Sequence, residues 1–316
     1  MPINIVVLAA TRANGSEMIE LSQKAAVVVE PPAGAELLDT AAFSFGNASY
    51  IAALWNGQNA MSVLSVSSRG DNVALVPAAN LQLSGKADLL ESFVLGNIPY
   101  LAAYRRDKGI FDFYPVQPDL TCPFSYRFFR NHAPGVTAGF TTVKLFTVQG
   151  GVAYMGYNKQ TGDVAVYTLS VIATSPPGIA PLLSLCVWDH QWAPGWTRFA
   201  FFQWGGGNFF LKTNTDKPNV NVDHLSDNPA NGTVEVGSKL KLTDDQVLSI
   251  VEPFTLGSED PYFITYRPDG HITLNRFRGD GQSWTVAGEF DAPAGAVKIL
   301  PIRTSTQQLF VLCIPE

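Results

Sequence analysis

FVLGNIPYLAAYRRDKGIFDFYPV, Phe93 to Val116, reads as three short strands joined by two turns. Phe93-Val94-Leu95 is apolar, and Gly96-Asn97 is a turn signal. Pro99 to Tyr104 is a second β-prone run, and Arg105-Arg106-Asp107-Lys108-Gly109 is a polar turn. From Ile110 to Val116, Phe111 and Phe113 alternate with Asp112 and Tyr114. Strand runs bounded by Gly and Asn clusters read as hairpins. The same unit recurs along the chain, and the recurrence decides the fold.

An apolar anchor in the first strand of each unit falls at Phe43, Phe93, Phe146, Phe202, Phe254 and Ile302, at spacings of 50, 53, 56, 52 and 48 residues. A large apolar residue follows seven or eight positions later: Tyr50, Tyr100, Tyr154, Phe209, Tyr262 and Leu309. A turn residue then opens the third strand at Asn59, Gly109, Gly162, Pro218 and Gly270. The third strands MSVLSV, IFDFYPV, DVAVYTL, NVNVDHL and ITLNRF alternate in part.

The sixth unit has only two strands, AVKILPIR and QQLFVLCI, before the chain ends. The missing pair stands at the start, where MPINIVVLAATRANGSEMIELSQ parallels MSVLSVSSRGDNVALVPAAN. From Ile302 round the termini to Phe43 is 57 residues, close to the other spacings. Four-stranded units of roughly 40–50 residues around an axis describe a β-propeller. The expected architecture is all-β, one domain over residues 1–316, with six blades. The ring closes by pairing N-terminal with C-terminal strands. No segment reads as a helix. Glu17–Val29 comes nearest, but it lacks a stop signal and ends in the β-branched run AAVVVE.

Composition narrows the function. Aromatics make up 11% and charged residues 15%, which suits a heavily buried β protein. A net charge of −6 gives no basic face for nucleic acid. No apolar run approaches the roughly 18 residues of a membrane span. IVVLAA near the start is short and lacks a basic n-region, so no signal peptide is visible and the cytoplasm is favoured. Oligomeric state is left open. Cys122, Cys186 and Cys313 are far apart in apolar contexts and read as free thiols. No metal-ligand spacing, nucleophile elbow or phosphate-binding glycine loop occurs, so no metal and no cofactor is expected.

The repeated anchors fill equivalent wedges between blades, so function lies in what is not repeated. The second-to-third turns WNGQN, RRDKG, NKQTG, NTDKP and RPDG diverge, which favours a single ligand site near the axis. Val187–Trp204, VWDHQWAPGWTRFAFFQW, carries Trp188, Trp192, Trp196 and Trp204 together with Asp189 and His190. It links blade three to blade four, and it reads either as a plug or as an aromatic wall for a small apolar molecule or a sugar. Gln203 and Glu252 interrupt apolar first strands, where a polar group needs a partner or an open channel. These residues, with Tyr157 and Arg105, form the expected binding set. His190 or Asp189 would carry the proton, and Arg303 or Gln203 would bond a polarised oxygen. His132 is a second histidine candidate.

With the six units laid out, the chain resembles two fungal propeller groups. One is the fucose-binding lectins, whose Arg, Glu and Trp recur in each blade; that triplet is absent here in register. The other is the propellers of terpenoid and trichothecene clusters. That resemblance implies a cofactor-free enzyme that closes a ring or joins an apolar terpenoid-like substrate by cycloaddition in one axial pocket, chiefly by holding it in a near-attack geometry. A carbohydrate-binding lectin and a non-catalytic interaction scaffold are the alternatives.

Overall fold

The computed structural model describes residues 2–12, 18–70, 72–122, 126–128, 139–148, 151–171, 182–214, 219–228, 233–243, 247–255, 261–278, 284–304 and 309–315. The chain opens with β1 (Ile3–Arg12), β2 (Ile19–Gln23) and β3 (Val27–Val29). Blade one is β4 (Leu37–Phe45), β5 (Ala48–Trp55), β6 (Ala60–Arg69) and β7 (Asn72–Gln82). Blade two is β8 (Leu89–Leu95), β9 (Ile98–Arg105), β10 (Ile110–Pro115) and β11 (Tyr126–Phe128). Blade three is β12 (Thr142–Val148), β13 (Gly151–Tyr157), β14 (Asp163–Val171) and β15 (Leu182–Gln191). Blade four is β16 (Trp196–Trp204), β17 (Gly207–Asn214), β18 (Asn219–Asn228) and β19 (Thr233–Thr243). Blade five is β20 (Ile250–Thr255), β21 (Pro261–Tyr266), β22 (His271–Phe277) and β23 (Trp284–Asp291). The sixth blade joins both ends of the chain: β24 (Ala296–Arg303), β25 (Leu309–Pro315), β1 and β2, with β3 also paired to β1.

This is the six-bladed propeller that the repeat implies, with no helix among the described residues, and it closes as expected. β1 runs antiparallel to β25, with Val6 opposite Cys313 and Ala10 opposite Leu309. The segment that came nearest to a helix forms β2 and β3 instead.

The core is six wedges, one at each blade–blade interface among the described residues. A strand in the middle of a blade is covered on both faces, so its sequence is apolar without alternation. β21 is buried at every position, and β9 at all but its first. The β4, β8, β12, β16, β20 and β24 strands pack beside one another as the innermost ring. The β5–β6 type of turn and the loop from each blade to the next share one end of this ring, here called the upper face.

The anchors sit in the inner strands. Phe43 pairs with Tyr50, Phe93 with Tyr100, Phe202 with Phe209 and Phe254 with Tyr262, with ring centroids 5.0–5.7 Å apart. Two pairs slip by one. Phe146 lies opposite Ala153 and Ile302 opposite Phe310. A one-residue slip sends a side chain to the other face of the sheet. Tyr154 therefore packs on Phe111 and Tyr167 toward blade two, while Phe146 stacks on Phe201 toward blade four. Cys313 is buried, Cys122 and Cys186 are partly exposed, and none is in a disulfide.

Candidate functional site

The third residue of every inner strand is charged: Asp39, Glu91, Lys144, Arg198, Glu252 and Lys298. All six line one cavity of about 270 Å³ at the upper mouth of the axial channel. Each is the first large polar group after the chain turns down toward the axis. The mouth of a six-stranded ring is narrow yet open to water, so it accepts long charged side chains that the wedges reject. Three acids and three bases balance there.

Their pairing is uneven. Lys144 Nζ stands 3.0 Å from Glu91 and 3.9 Å from Glu252. Lys298 Nζ donates to Asp39 and to the Thr40 carbonyl. Asp39 Oδ2 in turn accepts from the Leu90 backbone N–H at 2.8 Å, which ties blade one to blade two. Arg198 donates Nε to the Ser249 carbonyl at 2.8 Å, and its two terminal nitrogens have no protein partner among the described residues. Arg198 is exposed at the mouth, whereas the side chains of Glu91 and Lys144 are 18% and 21% exposed. These two are recessed but within reach of water.

Burial pushes the Glu91 carboxyl above the ordinary glutamate range, and Asp39 adds to the push against the opposing pull of Lys144 and Lys298. Burial alone would make the Lys144 ammonium easier to deprotonate. The Glu252 and Glu91 carboxylates outweigh that, so Lys144 is held more firmly protonated than a free lysine. The cavity therefore holds a carboxyl group displaced toward neutral pH, a fixed ammonium beside it and an uncommitted guanidinium. Among the described residues, no three His, Cys, Asp or Glu side chains come together as a metal-binding group.

A second cavity, of about 460 Å³, occupies the lower end of the channel between blades three, four and five. Phe146, Phe201, Phe202, Phe209 and Phe254 line it together with the uncharged polar residues Thr147, Gln203 and Asn208, and no charged residue is among its lining.

The residues singled out from sequence are scattered. Glu252 lines the upper cavity and Gln203 the lower one. Gln203 donates to Asn208 Oδ1 at 3.1 Å and to the Thr147 carbonyl. The Val187–Trp204 stretch passes from the outermost strand of blade three to the innermost strand of blade four. Asp189 and His190 are exposed on β15, opposite Ala165 and Val164. Trp188 and Trp192 pack in the wedge between blades three and four, where Trp192 stacks on Phe199 and Phe210. Lys212 stands 4.1 Å over the Trp192 ring and 5.0 Å over Trp196, while its ammonium is 2.8 Å from buried Asp223. Trp204 packs on Phe209 and Phe277. None of the four tryptophans is among the residues lining either axial cavity. Arg303 closes β24, and its carbonyl accepts from Ser49. His132 lies outside the described residues.

Arg105 and Tyr157 hold the scaffold. Arg105 is buried, donating to Asp112 and Ser84 at the blade one–blade two seam. Tyr157 Oη donates to the Ala193 carbonyl at 2.8 Å and accepts from Trp196 N–H, which pins the loop into β16. Tyr266 does the same at the loop from blade five to blade six, between Pro293 and Ala296.

The hexad had a sequence signal. The triplets LLD, LLE, TVK, WTR, IVE and AVK end in charge at spacings of 52, 53, 54, 54 and 46 residues, a period as regular as that of the anchors. Its mixed signs hide it from a search for one repeated residue type.

No protein-family model and no curated protein matches the chain. Solved structures do resemble it. A putative 6-phosphogluconolactonase from Bacteroides fragilis has a TM-score of 0.52 at 13% identity, over 96% of this chain and 86% of that one. Its counterpart from Bacteroides uniformis has a TM-score of 0.52 at 12% identity, over 96% and 87%. A chain of the Chaetomium thermophilum Polycomb Repressive Complex 2 bound to GSK126 has a TM-score of 0.50 at 12% identity, over 87% and 66%. Such likeness carries the fold. It corrects the expected function: the chain's layout is met in lactonase-type propellers, and the fungal ring-closing and lectin readings fall. Charge lines the upper cavity, and the tryptophans that were to form an aromatic wall pack between blades or against neighbouring rings.

Proposed function

We propose that the chain is a small-molecule hydrolase working at the upper axial mouth on a lactone or ester that carries an anionic or strongly polar group. The observation that supports it best is the pairing, within one water-reachable cavity, of Arg198 with its open terminal nitrogens and Glu91 with its raised proton affinity. Arg198 would hold the substrate's anionic group through its planar pair of donors. Lys144 would face the acyl oxygen, where negative charge develops. Water adds to the acyl carbon as its proton passes to the Glu91 carboxylate. The bond from that carbon to the leaving oxygen then breaks, and Glu91 returns the proton to the departing alkoxide. The products are an alcohol and a carboxylic acid. A carboxyl whose proton affinity is shifted toward neutral pH suits both transfers. Lactone hydrolysis is also the reaction named for the two Bacteroides propellers.

The test is steady-state hydrolysis of short polar lactones and esters by the wild type, Glu91→Gln and Arg198→Gln. Glu91→Gln is expected to lose about 10²–10⁴-fold in kcat. Arg198→Gln is expected to raise KM chiefly. Full turnover in Glu91→Gln would remove Glu91 from the reaction.

A further inference from the structure

The two axial cavities divide the same inner strands end to end. On β12 the upper cavity takes residues up to Lys144, and the lower begins at Leu145. On β20 the boundary falls between Glu252 and Pro253. On β16 the upper cavity reaches Phe199 and the lower begins at Phe201. The upper end of the inner ring is therefore lined by charge, and the lower end by uncharged, largely aromatic residues. Strands rise about 3.3 Å per residue, so Arg198 and Phe202 are roughly 13 Å apart along β16. That is the scale of a medium-length alkyl chain.

We infer that the ligand of the axial site is an amphiphile, with an anionic head at Arg198 and an unbranched apolar tail in the lower cavity among Phe146, Phe201, Phe202, Phe209 and Phe254. The inference rests on the proposed axial site and adds the class of its substrate. Two observations carry it. The guanidinium that could take a head group opens into the upper cavity. The aromatic walls of the lower cavity begin where the charged lining stops. Five phenylalanines around an open space of about 460 Å³ leave apolar surface that a polar ligand confined to the upper mouth would not cover. The lower rim is polar but uncharged: Gln203 and Asn208 are bonded to each other, so they mark an end to the tail and offer no counter-ion to a second head.

The test uses calorimetric titration with butanoate and dodecanoate, carboxylates that cannot be hydrolysed. Dodecanoate is expected to bind at least 100-fold more tightly, at one equivalent per chain. Arg198→Gln should weaken both ligands alike. Phe209→Asp, at a ring only partly buried, should weaken dodecanoate at least tenfold and leave butanoate unchanged, which also verifies that the variant is folded. Gln203→Asp, on the exposed rim, is the milder version of the same test. Equal affinity for the two carboxylates, or a dodecanoate preference untouched by either lower-cavity variant, overturns the tail site. Hydrolysis of short polar esters together with equal affinities would remove the tail and leave the reaction standing. Tight dodecanoate binding without hydrolysis of any ester would support the tail site and remove the reaction.

Discussion

Lys144 Nζ lies 3.0 Å from a carboxylate oxygen of Glu91, across the seam between blades three and two. The contact lowers the cost of a charge at Glu91, but burial outweighs it and the carboxyl stays raised. The consequence for stability has a definite sign. A group whose proton affinity is higher in the folded state contributes stability that is full below the unfolded pKa. That stability is lost as pH rises through the folded pKa. The melting temperature of wild type relative to Glu91→Gln should therefore fall as pH rises through and above the ordinary glutamate range, because glutamine cannot ionise. A constant difference over that rise would show that Glu91 is not displaced.

Closure of the ring rests on β1. Leu8 is fully buried, pairs with Val311 and packs in the wedge between blades five and six. Leu8→Ala is expected to cost about 2–5 kcal/mol in guanidinium unfolding. Removal of residues 1–23 should leave a chain without a cooperative transition, since β25 would keep only β24 and lose β1 on its other edge. A truncated chain that melts as the full one does would contradict the velcro-like closure.

The tyrosines that end second strands predict a loop effect. Tyr266 Oη donates to the Pro293 carbonyl and accepts from Ala296 N–H, both at 3.0 Å. Tyr266→Phe removes a group that satisfies both and should destabilise the protein by about 1–3 kcal/mol. Hydrogen exchange should quicken at Ala296, leaving the β21–β22 ladder protected. A uniform change over all blades would assign the tyrosine to general packing instead.

The fold was legible because a propeller repeats its packing problem. Each wedge needs the same apolar anchor, so Phe43, Phe93, Phe146, Phe202 and Phe254 recur at a readable period. Even the split sixth blade showed, since the last two strands and the first two each make only half of a four-stranded unit. The site was less legible. Sequence pointed to the tryptophan-rich stretch because four large rings in 17 residues stand out. Large rings are also what a wide wedge needs, and Trp192 fills one. Glu252 was found by the right argument, a polar residue in an inner strand, yet its five counterparts were not. Asp39, Glu91, Lys144, Arg198 and Lys298 share a position but not a charge, so no single residue type repeats. Which of them pair and which stay open depends on contacts between blades some 50 residues apart, such as Lys144 with Glu91.

The claim that the upper axial mouth is the working site is tested most directly by titrating the chain with a hydrolysis product. A short hydroxy acid such as 4-hydroxybutanoate is added to wild type and to Arg198→Gln under calorimetry. One equivalent per chain is predicted for wild type, with affinity lost by about 10–100-fold in Arg198→Gln, the range expected for a charge-assisted hydrogen bond pair. Binding of equal strength in both proteins would place the ligand away from Arg198 and contradict the account.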